Sequence, residues 1–402
     1  MEQGTTTGDR IAYYRRRRGL SQAVCADLVG RSESWLSQVE QGVLQPGSAS
    51  VLLELANVLG VELSRLLGPP IDLPPDGGGY HDAPHGVPAL SYELVCPDAF
   101  VCATVEPPIG LDALAERVER ARQARWAGRY TELALTLPDL IAAGRLAAKE
   151  GFDPRRAWGL LTRCYVLAEM LLEQLSEHRL RCLAADRAVA AADRADDELL
   201  RGSSAWRLRY ALGAHGALDV ADHVAQDAAS LLEAGLDEAC PQRVAIFGAL
   251  RISMGLMATA NDDVATMREA MRDAARVARL LPEGYVDPWT AFCPANVAFC
   301  EIAGWVEAGD PIEALRVAER TDFDALPLPH RQARAWIRVA QAHALRRKDP
   351  AAVAAMLEAE RIAPEEVRYH RAVRDLVSVL LRREREPATP GLRGLTRRIG
   401  IG

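Results

Sequence analysis

The chain has 402 residues, about half of them hydrophobic, only 5% aromatic, with a net charge of −7. That length exceeds one ordinary domain, and a composition rich in Ala, Leu and Arg favours helix over strand. No run of 18 apolar residues occurs and the first residues lack the apolar stretch of a signal peptide, so neither a membrane span nor export is expected, and the scattered cysteines read as reduced core thiols of a cytoplasmic protein.

The negative charge is unevenly placed. Residues 1–68 carry seven arginines and seven acids, so that segment is neutral and the whole −7 lies in residues 69–402. Four of the arginines are contiguous, Arg15, Arg16, Arg17 and Arg18. A local basic block of this kind serves phosphate contact even on an acidic protein.

The first 68 residues predict five short helices. One runs from Asp9 to Arg18 and ends at Gly19. Ser21 is a good N-cap for a second, reaching about Leu28. Val29-Gly30-Arg31 makes a tight turn in which Gly30 supplies positive φ. Ser32 caps a third helix through Glu40. Gly42 and Pro46-Gly47 break the chain before a fourth, ending at Leu59, and Glu62 to Leu67 make a last turn or two. Leu36 and Val39 form the inner stripe of the third helix, matched by Leu52, Leu55, Ala56 and Leu59 on the fourth. Ala26 is small where two helices must cross.

The order Ser21-Gln22, Ala26, Gly30, Ser32, Ser34-Trp35-Leu36, Gln38-Val39, Gly42 and Pro46 resembles the helix-turn-helix of the phage-repressor and xenobiotic-response-element family. The resemblance implies that the third helix enters the major groove of double-stranded DNA. Matching positions imply that Glu33, Ser34 and Gln38 read bases. Gln38 suits adenine and Glu33 suits cytosine. Ser37 falls at a base or phosphate contact, and Gln22 at the glutamine that holds a phosphate and braces the reading helix. Ser32, Gln41, Arg31 and the Arg15–Arg18 block fall near the backbone. Glu33 departs from many relatives, which carry a neutral residue there.

Residues 69–110 open with a dense Pro/Gly stretch, a linker by composition. Val95, Phe100, Val101 and Val105 suggest short strands or an extended segment. His81, His85, Cys96 and Cys102 are zinc-type ligands, but their spacing is wide, and no metal or other cofactor is expected. The remaining histidines lie singly on helices and read as structural.

From Leu111 to Arg383 helical patterning is nearly continuous, with Gly, Pro or Asn-Asp breaks every 15–22 residues. Helix pairs of about 34–40 residues are the signature of tetratricopeptide-like solenoids, and roughly six fit. The expected fold is therefore all-α: an N-terminal five-helix helix-turn-helix domain (1–68), a linker (69–110), a tetratricopeptide-like α-solenoid (111–383) and a basic tail (384–402) that is mobile or packs back.

That layout resembles actinobacterial regulators joining such a head to helical repeats, and peptide-pheromone-responding repressors of Gram-positive bacteria. The resemblance implies a homodimer on a near-palindromic operator and a small-molecule or peptide effector in the concave groove. Trp289, Phe292, Asn296 and Phe299, at helical spacing, make one candidate lining. Trp206, Arg209 and Tyr210 make a second. An aromatic stripe of this kind is usually the mark of a core, although Asn296 within it needs a polar partner. No phosphate loop, HExxH, GxSxG or CxxC occurs, so the chain is not expected to be an enzyme. The alternative to an effector-responsive regulator is a DNA-tethered scaffold whose repeats bind another protein.

Overall fold

The computed structural model describes residues 6–44, 46, 49–59, 61, 66, 84–96, 109–150, 153–214, 216–236, 240–259, 263–384 and 391–401. Among them the chain is helical, with no strand. The head begins with α1 (Thr7–Arg17), α2 (Gln22–Leu28), α3 (Glu33–Glu40) and α4 (Ala49–Leu59). Its first cap lies earlier than Asp9 predicts. Thr6 accepts from the Asp9 amide at 3.1 Å while the Asp9 carboxylate accepts from the Thr6 amide at 2.9 Å, a reciprocal capping box. Ser21 and Ser32 cap α2 and α3 as expected, and Gly30 takes a φ of 63° in the turn between them. Ile11, Cys25, Ala26, Leu36, Val39 and Leu55 close the core of this unit. Residues 62–65 and 67, most of the predicted fifth helix, fall outside the described residues.

Within the expected linker, residues 84–96 carry helix α5 (Val87–Val95), so Val95, expected in a short extended segment, is helical instead. Pro88 sits in its first turn, where a missing amide costs nothing. Val87, Leu90 and Leu94 are fully buried against the first repeats, and that burial overrides the extended preference of isolated Val residues. Phe100, Val101 and Val105 lie outside the described residues.

The repeats follow as antiparallel pairs. They are α6 (Leu111–Trp126) with α7 (Tyr130–Glu150), α8 (Pro154–Gln174) with α9 (His178–Ala195), and α10 (Glu198–Ala214) with α11 (Leu218–Glu233). Next come α12 (Pro241–Ala258) with α13 (Val264–Ala278), α14 (Pro294–Glu307) with α15 (Pro311–Glu319), and α16 (Pro329–Leu345) with α17 (Asp349–Ile362). Ala184, Ala185, Ala188, Ala191 and Ala192 are all buried on α9, letting neighbouring helices approach closely. Three further helices finish the chain: α18 (Pro364–Tyr369), α19 (Arg371–Arg383) and α20 (Leu392–Arg398). The tail packs back: Leu392 and Leu395 are fully buried, and Arg398 pairs with Glu360 at 2.6 Å.

The first and last repeats touch. Tyr130 donates to the Glu366 carboxylate, Gln174 donates to the Glu366 carbonyl at 3.0 Å, and His330 Nδ1 meets the Trp126 carbonyl at 3.0 Å. The superhelix therefore closes on itself, and its inner wall is made by the first helix of every pair.

Candidate functional site

Two places gather the residues that sequence singled out. The first is the head's third helix. Glu33 and Ser34 are exposed, Ser37 is half-buried, and Gln38 is 9% exposed. Gln38 is covered by the repeats. Its Nε2 donates to Ser34 Oγ at 3.2 Å and to the Gly309 carbonyl, in the α14–α15 turn, at 3.4 Å. Its Oε1 is buried without a hydrogen-bond partner. Gln41 donates to Ser37 Oγ at 2.7 Å and accepts from Arg383 of α19 at 3.1 Å. One residue on, Gly42 lies so close to Val379 that a Cβ there would sit 3.2 Å from its methyl. Arg382 reaches Asp9 at 2.6 Å. Two polar side chains of the reading helix thus face the repeat domain.

The basic block divides by role. Arg15 is mostly buried and grips Glu40 with two nitrogens, Nη2 at 2.9 Å. Gln22 joins the same carboxylate at 2.8 Å, so one buried Glu40 ties α1, α2 and α3 together. That carboxylate raises the Arg15 guanidinium above its ordinary value, chiefly through the hydrogen bond. Arg16, Arg17 and Arg18 are exposed; Arg16 and Arg17 make local bonds to the Ala12 carbonyl and the Tyr13 hydroxyl, and Arg18 reaches across to the Val58 carbonyl of α4. Arg31 stacks over Trp35 at 5.4 Å, and Ser32 uses its hydroxyl to cap α3.

The second place is a cavity of about 190 Å³ inside the closed superhelix. Trp206, Tyr210, Trp289, Asn296 and Phe299, all anticipated, line it together with Trp126. Two anticipated members lie elsewhere. Phe292 is fully buried against α12, where a Cβ on Gly248 would fall 2.0 Å from its ring. Arg209, also fully buried, ties helices together through the Ser253 carbonyl at 2.5 Å and Asp222 at 2.8 Å. The helical-stripe reading fails before Pro294. Asp287 accepts from the Trp289 and Thr290 amides at 3.0 and 2.7 Å, an Asx turn that Pro288 and Pro294 favour over helix.

Sequence reading missed the cavity's arginines. Arg125, Arg207, Arg331, Arg334 and Arg338 all line it. Arg331, Arg334 and Arg338 stand three and four apart on α16, a basic stripe along one face whose spacing would have revealed them. Arg207 shares Glu169 and Glu173 with Arg181, Arg334 pairs with Glu366 at 2.6 Å, and Arg338 pairs with Glu307 at 2.5 Å. Burial pushes the Glu173 carboxyl up, but Arg207, Arg181 and Arg334 outweigh it and hold the group well below the usual range. Among the described residues Arg125 and Arg331 form no ion pair, and the Nε of each is buried without a partner. So are Trp206 Nε1 and Asn296 Oδ1.

Burial, reinforced by Arg125, Arg331 and Arg334, holds His330 well below its usual value. Burial is also the main cause at His370, which falls to about 4. The unfolded chain therefore binds these protons first, near pH 6.5, and native stability falls as pH drops from about 6.5 toward 4. The loss expected from His370 is on the order of 2 kcal/mol. Thermal melts at pH 7 and pH 5 should show it, and His370→Asn should shrink it; melts that coincide would contradict the assignment.

Among the described residues no group of three or more His, Cys, Asp or Glu is placed to hold a metal, and His81 and Cys102 fall outside them. Nor is any described helix long and apolar enough to cross a membrane. A family model described as a helix-turn-helix domain matches residues 8–66. No curated protein and no solved structure matches the chain.

Proposed function

With a helix-turn-helix at residues 8–66 as the premise, we propose that this chain is a sequence-specific DNA-binding transcription regulator whose repeats control access to the reading helix. The observation that carries this is Gln38, buried against the Gly309 carbonyl when it would have to face a base edge to read DNA. The contact leaves Gln38 Oε1 unsatisfied, and an unsatisfied buried acceptor makes a docked state easy to leave.

Effector control follows from shared elements. Helix α14 carries Asn296 and Phe299 into the cavity and ends at the turn that holds Gln38. Arg334 of the cavity holds Glu366 on α18, which runs into α19 and its Arg382 and Arg383 contacts to the head. A ligand that shifts either element would change the docking of the head, with coupling of about 1–3 kcal/mol. Two copies would place their reading helices one DNA turn apart, roughly 34 Å, on a near-palindromic site.

The test is selection from a random duplex pool by the full chain and by Arg382→Glu, which loosens docking. Enrichment of an inverted repeat by the released protein supports the reading. A folded variant that enriches nothing removes it.

A further inference from the structure

The cavity's polar groups point to the chemistry of its occupant, an inference that rests on the effector reading above. Its wall holds more cations than anions. Arg181 and Arg207 are balanced by Glu169 and Glu173, Arg334 by Glu366, and Arg338 by Glu307. Arg125 and Arg331 remain: neither forms an ion pair among the described residues, and Arg125 reaches the Glu366 carboxylate only through the Tyr130 hydroxyl, to which it donates at 3.1 Å. A charge held out of water without a counter-charge is strongly unfavourable. His330 and His370 add no further positive charge, since both are kept neutral.

The unmet hydrogen-bonding capacity is mostly donor. Arg125 and Trp206 are 3% and 4% exposed, and each has a buried N–H without an acceptor. Arg331 adds another. Asn296, 3% exposed, contributes an amide whose oxygen is unmet, and an amide can present either end. Around these stand the rings of Trp126, Trp206, Tyr210, Trp289 and Phe299. The volume, about 190 Å³, is near that of the cavity that accepts benzene, ~150 Å³. It suits one ring with a short substituent, not a folded peptide.

We propose that the cavity is a receptor for a small organic carboxylate on a planar ring, the ring lying among Trp206, Trp289 and Phe299 and the carboxylate received by Arg331 and Arg125. Guanidinium and carboxylate match as paired donors and acceptors.

Calorimetry on the full chain tests this with phenylacetate, its neutral isostere phenylacetamide, inorganic phosphate and N-acetylphenylalanine. Phenylacetate should bind with a Kd at or below about 1 mM, and the amide at least about tenfold more weakly. Arg331→Gln should erase that preference, while Arg331→Lys keeps part of it. Should Arg331→Gln fail to fold, Asn296→Asp serves instead, because a carboxylate inside the wall should weaken phenylacetate by about tenfold or more. Tighter binding of N-acetylphenylalanine supports the same ring-and-carboxylate chemistry, supplied by a peptide terminus. Equal binding of acid and amide, no binding of either acid, or phosphate binding as well as phenylacetate would overturn the proposal. None of these titrations involves DNA, so their failure leaves the DNA-reading assignment standing, and failure of DNA selection leaves the cavity result intact.

Discussion

Glu40→Ala will melt the N-terminal head well below the melting point of the repeats. Glu40 is 8% exposed and is the one acceptor for two nitrogens of Arg15 and for Gln22. Truncating it leaves a mostly buried guanidinium without its counter-charge, held by the Leu20 carbonyl at 2.8 Å alone, which destabilises by roughly 3–5 kcal/mol. A unit of about sixty residues has little more stability than that to lose. Differential scanning calorimetry should show an early transition, and DNA affinity should vanish with it. Removing both charges together, Arg15→Met with Glu40→Leu, should restore most of the lost stability, because two apolar groups of similar volume leave no buried charge without its partner. A Glu40→Ala protein that melts like the parent would show that the carboxylate is not the hub of the head.

Glu169→Ala should have a comparable effect on the repeats. Glu169 is fully buried and accepts from Arg181 at 2.6 Å and from Arg207. Without it two buried guanidiniums share Glu173 alone. The expected loss is again roughly 3–5 kcal/mol, a fall in melting temperature of roughly 6–20 °C for a domain of this size. Glu169→Gln, which keeps the shape and one acceptor, should lose less. Equal melting of parent and Glu169→Ala would contradict the role given to this cluster.

Local structure was legible in the sequence where a short-range rule governs it. Ser21, Ser32 and Gly30 each obey a rule spanning four residues, and the caps and turn fall where those residues put them. The six helix pairs follow from breaker spacing. Long-range pairings left no such mark. Arg15 reads as part of a basic block because its partner lies 25 positions away, and nothing in spacing ties the two. The cavity was half visible. Aromatics are rare enough here for Trp206, Trp289 and Phe299 to stand out, whereas arginines recur on most of the repeat helices. Only closure of the superhelix brings Arg125 of α6 beside Arg331 of α16. Phe292 and Arg209 failed as lining residues for the same reason: periodicity gives a face but not what lies opposite it. Helix α5 was lost to composition, since a Pro/Gly-rich neighbourhood hid a short apolar segment that burial makes helical.

We propose that the repeats hold the reading helix out of reach. The most direct test is operator affinity of the full chain and of Arg382→Glu at one salt concentration, on a site recovered by selection. Arg382 binds Asp9 at 2.6 Å, and reversing its charge turns that contact into repulsion. Added negative charge by itself would weaken DNA binding, so a gain has one source. Released docking predicts tighter binding by about threefold or more. Unchanged or weaker affinity in a variant that melts like the parent would contradict the account.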